Sequence, residues 1–124
     1  MDRARRSRVV RGLRRCGGRR ATLNRGDVYD VDFPSGRRPA VIVTRDRAIP
    51  MVANVTVASV TRTVRGLPTE VTLGREHGLE HESVVNCDNL ATLPKDALRT
   101  RRGLLDPQSL DRLRQALRIA LELD

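Results

Sequence analysis

Residues 27–43 run Asp27-Val28-Tyr29-Asp30-Val31-Asp32-Phe33-Pro34-Ser35-Gly36-Arg37-Arg38-Pro39-Ala40-Val41-Ile42-Val43. Tyr29, Val31 and Phe33 alternate with Val28, Asp30 and Asp32, the two-residue period of a half-buried strand. Pro34-Ser35-Gly36 is turn chemistry. Ala40–Thr44 follows as a short apolar, β-branched run. Pro39 cannot donate to a sheet ladder, so the pattern places it at a strand start, and it forces Arg38 into an extended conformation.

The same grammar continues outward. Residues 46–50 read as a loop, and Val52–Thr63 is the longest β-rich stretch. Arg65-Gly66 turns the chain into a strand at Glu70–Leu73, and Gly74–Gly78 turns it again. Ser83–Cys87 and Leu90–Leu93 read as two short strands around a tight turn at Asp88-Asn89. Pro94–Leu98 fits one helical turn. Asp106-Pro107 then opens a helix, with Asp106 able to cap free N–H groups and Pro107 suited to the first helical position. Leu110, Leu113, Leu117, Ala120 and Leu121 form its apolar stripe, with Arg112, Arg114 and Arg118 off it. Closely spaced strands followed by one packing helix predict a mainly β fold, a small barrel.

Composition narrows the partners. The 124 residues suit one domain. With Tyr29 and Phe33 the only aromatics, the core is expected to be aliphatic, and nucleic acid would be gripped through phosphates more than by stacking. The +9 charge is uneven: residues 1–20 hold nine Arg against Asp2, whereas residues 21–124 hold fifteen basic against fourteen acidic side chains. Residues 1–23 read as an Arg-rich disordered tail, 24–124 as the domain. The tail is open to two accounts, an RNA-binding arm or a passive extension. Within the domain, residues 37–65 carry six Arg against Asp46 alone, the footprint of a polyanion ligand. Cys16 and Cys87 form no disulfide framework and are expected as free thiols in a reducing cytosol. No run is long and apolar enough to span a membrane, and no secretory signal is expected.

Two segments carry candidate chemistry. Arg37-Arg38-Pro39 holds a guanidinium at a strand mouth, a fork of donors suited to phosphate. In Val57-Ala58-Ser59-Val60-Thr61-Arg62-Thr63, alternation puts Ser59, Thr61 and Thr63 on one face. His77 and His81 offer a rival acid–base pair, although polar-turn histidines are most often merely solvated.

These segments, with Arg25-Gly26-Asp27-Val28-Tyr29, Leu67-Pro68-Thr69-Glu70-Val71 and Ser83-Val84-Val85-Asn86-Cys87-Asp88-Asn89, resemble in order and spacing the MazF/PemK-type toxins of type II toxin–antitoxin pairs. The resemblance covers residues 24–124 and implies a small SH3-like (CcdB/MazF/PemK-like) barrel, usually dimeric. It implies a cytoplasmic, metal-independent and cofactor-free endoribonuclease that cleaves single-stranded RNA, mRNA or rRNA, at short sequences. Attack by a 2′-OH on the adjacent phosphate would leave a 2′,3′-cyclic phosphate and a 5′-OH. The family's catalytic Arg and Thr fall on Arg38 and Thr61; Arg37, Ser59, Arg62, Arg45 and Arg65 are the expected substrate contacts. The implied partners are RNA, a cognate antitoxin with an acidic segment and a second copy of the chain, not a membrane. Many relatives have a longer, acid-bearing loop before the Arg-Pro pair; Phe33-Pro34-Ser35-Gly36-Arg37 is short and has no acid. The same barrel also serves non-catalytic binders, gyrase-poisoning toxins or passive RNA-binding modules, which leave Arg38 and Thr61 unexplained.

Overall fold

The computed structural model describes residues 22–123. The proposed tail falls outside that range except for Thr22 and Leu23, as does Cys16. The described chain forms six strands and one helix: β1 (Asp27–Phe33), β2 (Gly36–Ile42), β3 (Asn54–Thr61), β4 (Glu70–Leu73), β5 (Ser83–Pro94), β6 (Leu98–Leu104) and α1 (Pro107–Leu121). Short 3₁₀ turns occupy Ile49–Met51, Arg75–His77 and Lys95–Ala97. One antiparallel sheet runs β4-β5-β3-β2-β1-β6. No described helix is long and apolar enough to cross a membrane.

Both faces of the sheet are apolar, and the strand period explains why. On one face Val28, Val41, Ala58, Val60, Val71 and Val85 pack with Leu113, Ala116 and Leu117 of α1. On the other, Tyr29, Val31, Ala40, Ile42, Val55 and Val57 gather around Ile49. The core is aliphatic, as composition required. In α1 the stripe is centred on Leu113, Ala116 and Leu117; Leu121, assigned to it from spacing, is half exposed at the fraying end.

Three readings are corrected. Pro39 is the fourth residue of β2, not its first. The stretches 83–87 and 90–93 are one twelve-residue strand, β5. Asp88-Asn89 is no hairpin turn: Ala58 pairs with Leu90 while Ser59 pairs with Asn86, so residues 87–89 bulge out of the β3 ladder. The bulged Cys87 N–H instead donates to the Thr69 carbonyl at 2.9 Å. Residues 98–104 had shown no strand signal, because Leu-Arg-Thr-Arg-Arg-Gly-Leu lacks apolar alternation; they form β6, paired to β1 alone at a sheet edge, where charged side chains are favoured.

The second edge, β4, leads into the 75–77 turn, and there the backbone closes on β6. A Cβ on Gly78 would lie 2.0 Å from the Arg102 carbonyl oxygen, and one on Gly103 would lie 2.5 Å from that of His77. Gly78 also has φ +88°. The contact therefore needs glycine on both sides. Gly78→Ala should lower stability by more than the ~1–3 kcal/mol of backbone strain alone. Gly66→Ala, with φ +74° and nothing near its Cβ position, should cost only that strain. Urea denaturation of the two variants checks the ordering.

Candidate active site

The backbone of β2 determines where the sheet opens. The Ile42 carbonyl accepts from Gly26 on the β1 side at 2.8 Å, whereas the Val43 N–H donates to the Thr56 carbonyl on the β3 side at 2.9 Å. Backbone groups of odd-numbered residues here thus turn toward β3. Pro39 is odd, and the register Ala40–Ser59, Val41–Ala58 would set it against Val60. It has no N–H to give, and pairing between β2 and β3 ends at Ala40 and Ser59. Its partner on the β1 side, Asp30, is unaffected, so β2 continues to Gly36 along β1.

Where β2 and β3 part there is a cleft of ≈ 630 Å³. Continued two steps past its last pair, the register would set Arg38 against Thr61 on one face of the sheet, and both residues line the cleft. Arg38 is exposed, and its guanidinium bonds to no described residue. The Thr61 hydroxyl accepts from the Thr63 N–H at 3.1 Å, which leaves its own proton free to donate. Pro39 and Val60 lie between them on the lining, with Arg37, Arg62 and Asp30 beside them. Leu79, Glu80, His81, Ser83 and Arg102 complete the wall.

Charge in the cleft is Arg37, Arg38, Arg62 and Arg102 against Asp30 and Glu80. Arg102 is held by Asp30 at 3.1 Å and by the Gly78 carbonyl at 3.2 Å. Arg37 Nε donates to Asp32 Oδ1 at 2.7 Å. That hydrogen bond raises the Arg37 pKa and holds the Asp32 carboxyl below its ordinary value. Ser59 is buried between Ala40 and Asn86 and does not line the cleft. Arg45 lies beyond the opposite end of β2, and Arg65 on the β3–β4 loop, where its N–H donates to Glu70. Neither reaches the cleft. Sequence reasoning did not single out Asp30, Glu80 or Arg102. Asp30 was legible as facing away from Tyr29 and Val31; Arg102 had no signal, because β6 itself had none.

The two histidines separate. His77 is buried in a second cleft lined in part by Asp106, Ser109 and Arg112. Its Nδ1 accepts from the Gly74 N–H at 3.1 Å, so Nε2 carries the proton and donates to Asp106 Oδ1 at 2.9 Å. Ser109 Oγ stands 3.2 Å from the same Nε2. A nucleophilic triad needs Ser and Asp on different ring nitrogens, so this cluster is a structural tie between the 75–77 turn and α1. Asp106 is the N-cap residue and Pro107 opens α1, and the Asp106 carboxylate also accepts from His77. Cys87 is buried, and burial pushes its thiol up to about 11, so it is no nucleophile.

Residues 24–121 match the family of PemK-like, MazF-like toxins of type II toxin–antitoxin systems. The endoribonuclease MazF3 of Mycobacterium tuberculosis (strain CDC 1551 / Oshkosh) is 44% identical over 87 residues, 70% of this chain and 84% of that one. The probable endoribonuclease MazF2 of the same strain is 38% identical over 97 residues, 77% and 95% of the two chains. Among solved structures, the Mycobacterium tuberculosis toxin MazF-mt6 superposes with TM-score 0.75 at 39% identity, covering 79% of this chain and 98% of that one. A mycobacterial endoribonuclease in complex with its cognate antitoxin superposes with TM-score 0.77 at 34% identity, covering 82% and 97%.

Two outcomes follow from the geometry. Pro39→Ala should supply the missing donor and extend the β2–β3 ladder, seen as a newly protected amide at position 39 in hydrogen exchange. The Ser109 hydroxyl and the His77 imidazole hold the Asp106 carboxyl far below the usual carboxylate range. A depressed carboxylate stabilises the fold fully above its unfolded value, about 3.9, and loses that contribution as pH falls toward the folded value. Asp106→Asn should therefore destabilise the protein near neutrality, with the deficit shrinking below about pH 4 in denaturation series.

Proposed function

This chain belongs to the PemK-like, MazF-like toxin family, and on that premise we propose how its cleft acts. The protein is the toxin of a toxin–antitoxin system, an endoribonuclease. Its substrate is single-stranded RNA, cut at a short sequence by 2′-OH attack on the neighbouring phosphate. The observation that supports this reading is that Arg38, whose guanidinium bonds to no described residue, and Thr61 line one cleft where the β2–β3 ladder stops at Pro39.

Arg38 stays protonated in proteins and cannot serve as a base. Its role is to neutralise charge building on the equatorial oxygens of the phosphate as the fifth bond forms. Thr61, with its oxygen already accepting from Thr63, donates to a non-bridging oxygen and aligns the attack. The Thr61 hydroxyl, already tied to Thr63, needs little reorganisation when the charge appears, whereas Arg38 is held only through its backbone by β1 and its guanidinium is drawn in by the phosphate. Arg62 and Arg37 engage neighbouring phosphates, Arg37 by leaving Asp32. Ser59, Arg45 and Arg65, outside the cleft, would contact only RNA that extends past it.

The domain comprises residues 24–124, with 1–23 as an appended basic segment. A cytoplasmic homodimer is the working form. The antitoxin inhibits by laying an acidic segment over the same Arg groups, an arrangement that competes directly with phosphate.

Arg38→Ala and Thr61→Ala should each lower cleavage about 10²–10³-fold while circular dichroism stays that of the wild type. Incubating labelled RNA with the purified protein in EDTA should give new 5′-OH ends and 2′,3′-cyclic phosphates. Intact RNA in a shifted band would instead mean a binder, and a double variant that cuts at the wild-type rate would remove these two residues from the mechanism.

A further inference from the structure

We infer that His81 accepts the proton of the attacking 2′-hydroxyl, an inference that rests on the endoribonuclease reading of the same cleft. The reaction needs a base, and neither Arg38 nor Thr61 can act as one. The short β1–β2 connection, residues 34–35, has no carboxylate to offer.

The charged groups facing the cleft are Asp30 from β1, Arg37 and Arg38 from β2, Arg62 after β3, Glu80 beside His81, and Arg102 from β6. Asp30 is already committed: both of its oxygens accept from Arg102 Nη1, at 3.4 and 3.1 Å. His81 is exposed, lines the cleft, and its imidazole bonds to no described residue. His77, four residues earlier, is buried with both ring nitrogens engaged. Imidazole is the side-chain type best suited to taking and returning a proton near neutral pH.

His81 is exposed but not loosely placed. Gly78 is pressed against Arg102, and Leu79 is buried in the core beneath α1. On the other side, the buried Ser83 hydroxyl donates to the His81 carbonyl at 3.0 Å. The segment is thus fixed at both ends, while the imidazole remains free to meet substrate.

The step balances. As the O2′–P bond forms, the 2′-oxygen gives its proton to the neutral imidazole. The P–O5′ bond breaks, its electron pair stays on the 5′-oxygen, and that oxygen takes a proton from water. The imidazolium then returns its proton to solvent.

The test is single-turnover cleavage by the full chain in EDTA, from about pH 5 to about pH 9. The substrate is an RNA carrying a site mapped from cleaved ends in long mixed-sequence RNA. His81→Ala should slow cleavage about 10²–10⁴-fold, lose the acid limb of the rate profile and regain activity with added imidazole. Its affinity for the same RNA with a 2′-deoxy at the scissile position should not change. Three results overturn the inference while leaving the endoribonuclease reading in place, provided Arg38→Ala is inactive. They are a wild-type rate and profile in His81→Ala, a loss of rate with an unchanged profile and no imidazole rescue, and transfer of the acid-limb effect to Glu80→Gln. Wild-type protein that leaves RNA intact ends both.

Discussion

One missing backbone hydrogen organises the working end of this molecule. Pro39 stands where β2 would next bond to β3, and it cannot donate. The ladder stops at Ala40 and Ser59, while the ladder on the β1 side, which never called on that N–H, runs on to Gly36. Arg38 is therefore held by β1 through its backbone yet released from β3. Arg38 and Thr61, which a continued β2–β3 register would have packed side by side, both line the cleft that results. A proline inside a strand, ordinarily a defect, here converts a sheet into a cleft without loosening it.

The rest of the site shows how a nearly neutral domain presents a positive groove. Residues 21–124 are almost balanced in charge, but four of their Arg converge on one cleft with only Asp30 and Glu80 opposing them. Asp30 also anchors Arg102, which is bound in addition to the Gly78 carbonyl. A guanidinium fixed in this way loses little freedom when phosphate arrives. Arg38 has no such tether among the described residues, so its charge on the cleft wall is not neutralised by any of them.

The seam between β4 and β6 links this cleft to the opposite side of the protein. Gly78 and Gly103 let the 75–77 turn touch β6, and His77 ties that turn to α1 through Asp106. The same short segment then carries Glu80 and His81 into the cleft. Histidines four residues apart thus end in opposite surroundings, one filling a buried hydrogen-bond network and the other exposed on the lining of the cleft.

The sequence by itself determined the order of most elements, the aliphatic core and the helix start at Pro107, because strand alternation and proline chemistry are local; Arg38 and Thr61 stood out only through the family resemblance. The sequence left β6 unseen, since an edge strand buries too little to need an apolar pattern, and it split β5 in two, since a bulge and a turn draw on the same residues. Only the tertiary structure decided which charges share the cleft. Arg102 and Asp30 are 72 residues apart in the chain, His77 and His81 only a few. What separates or joins them is strand register and a close backbone contact, and neither leaves a mark on any single stretch of residues.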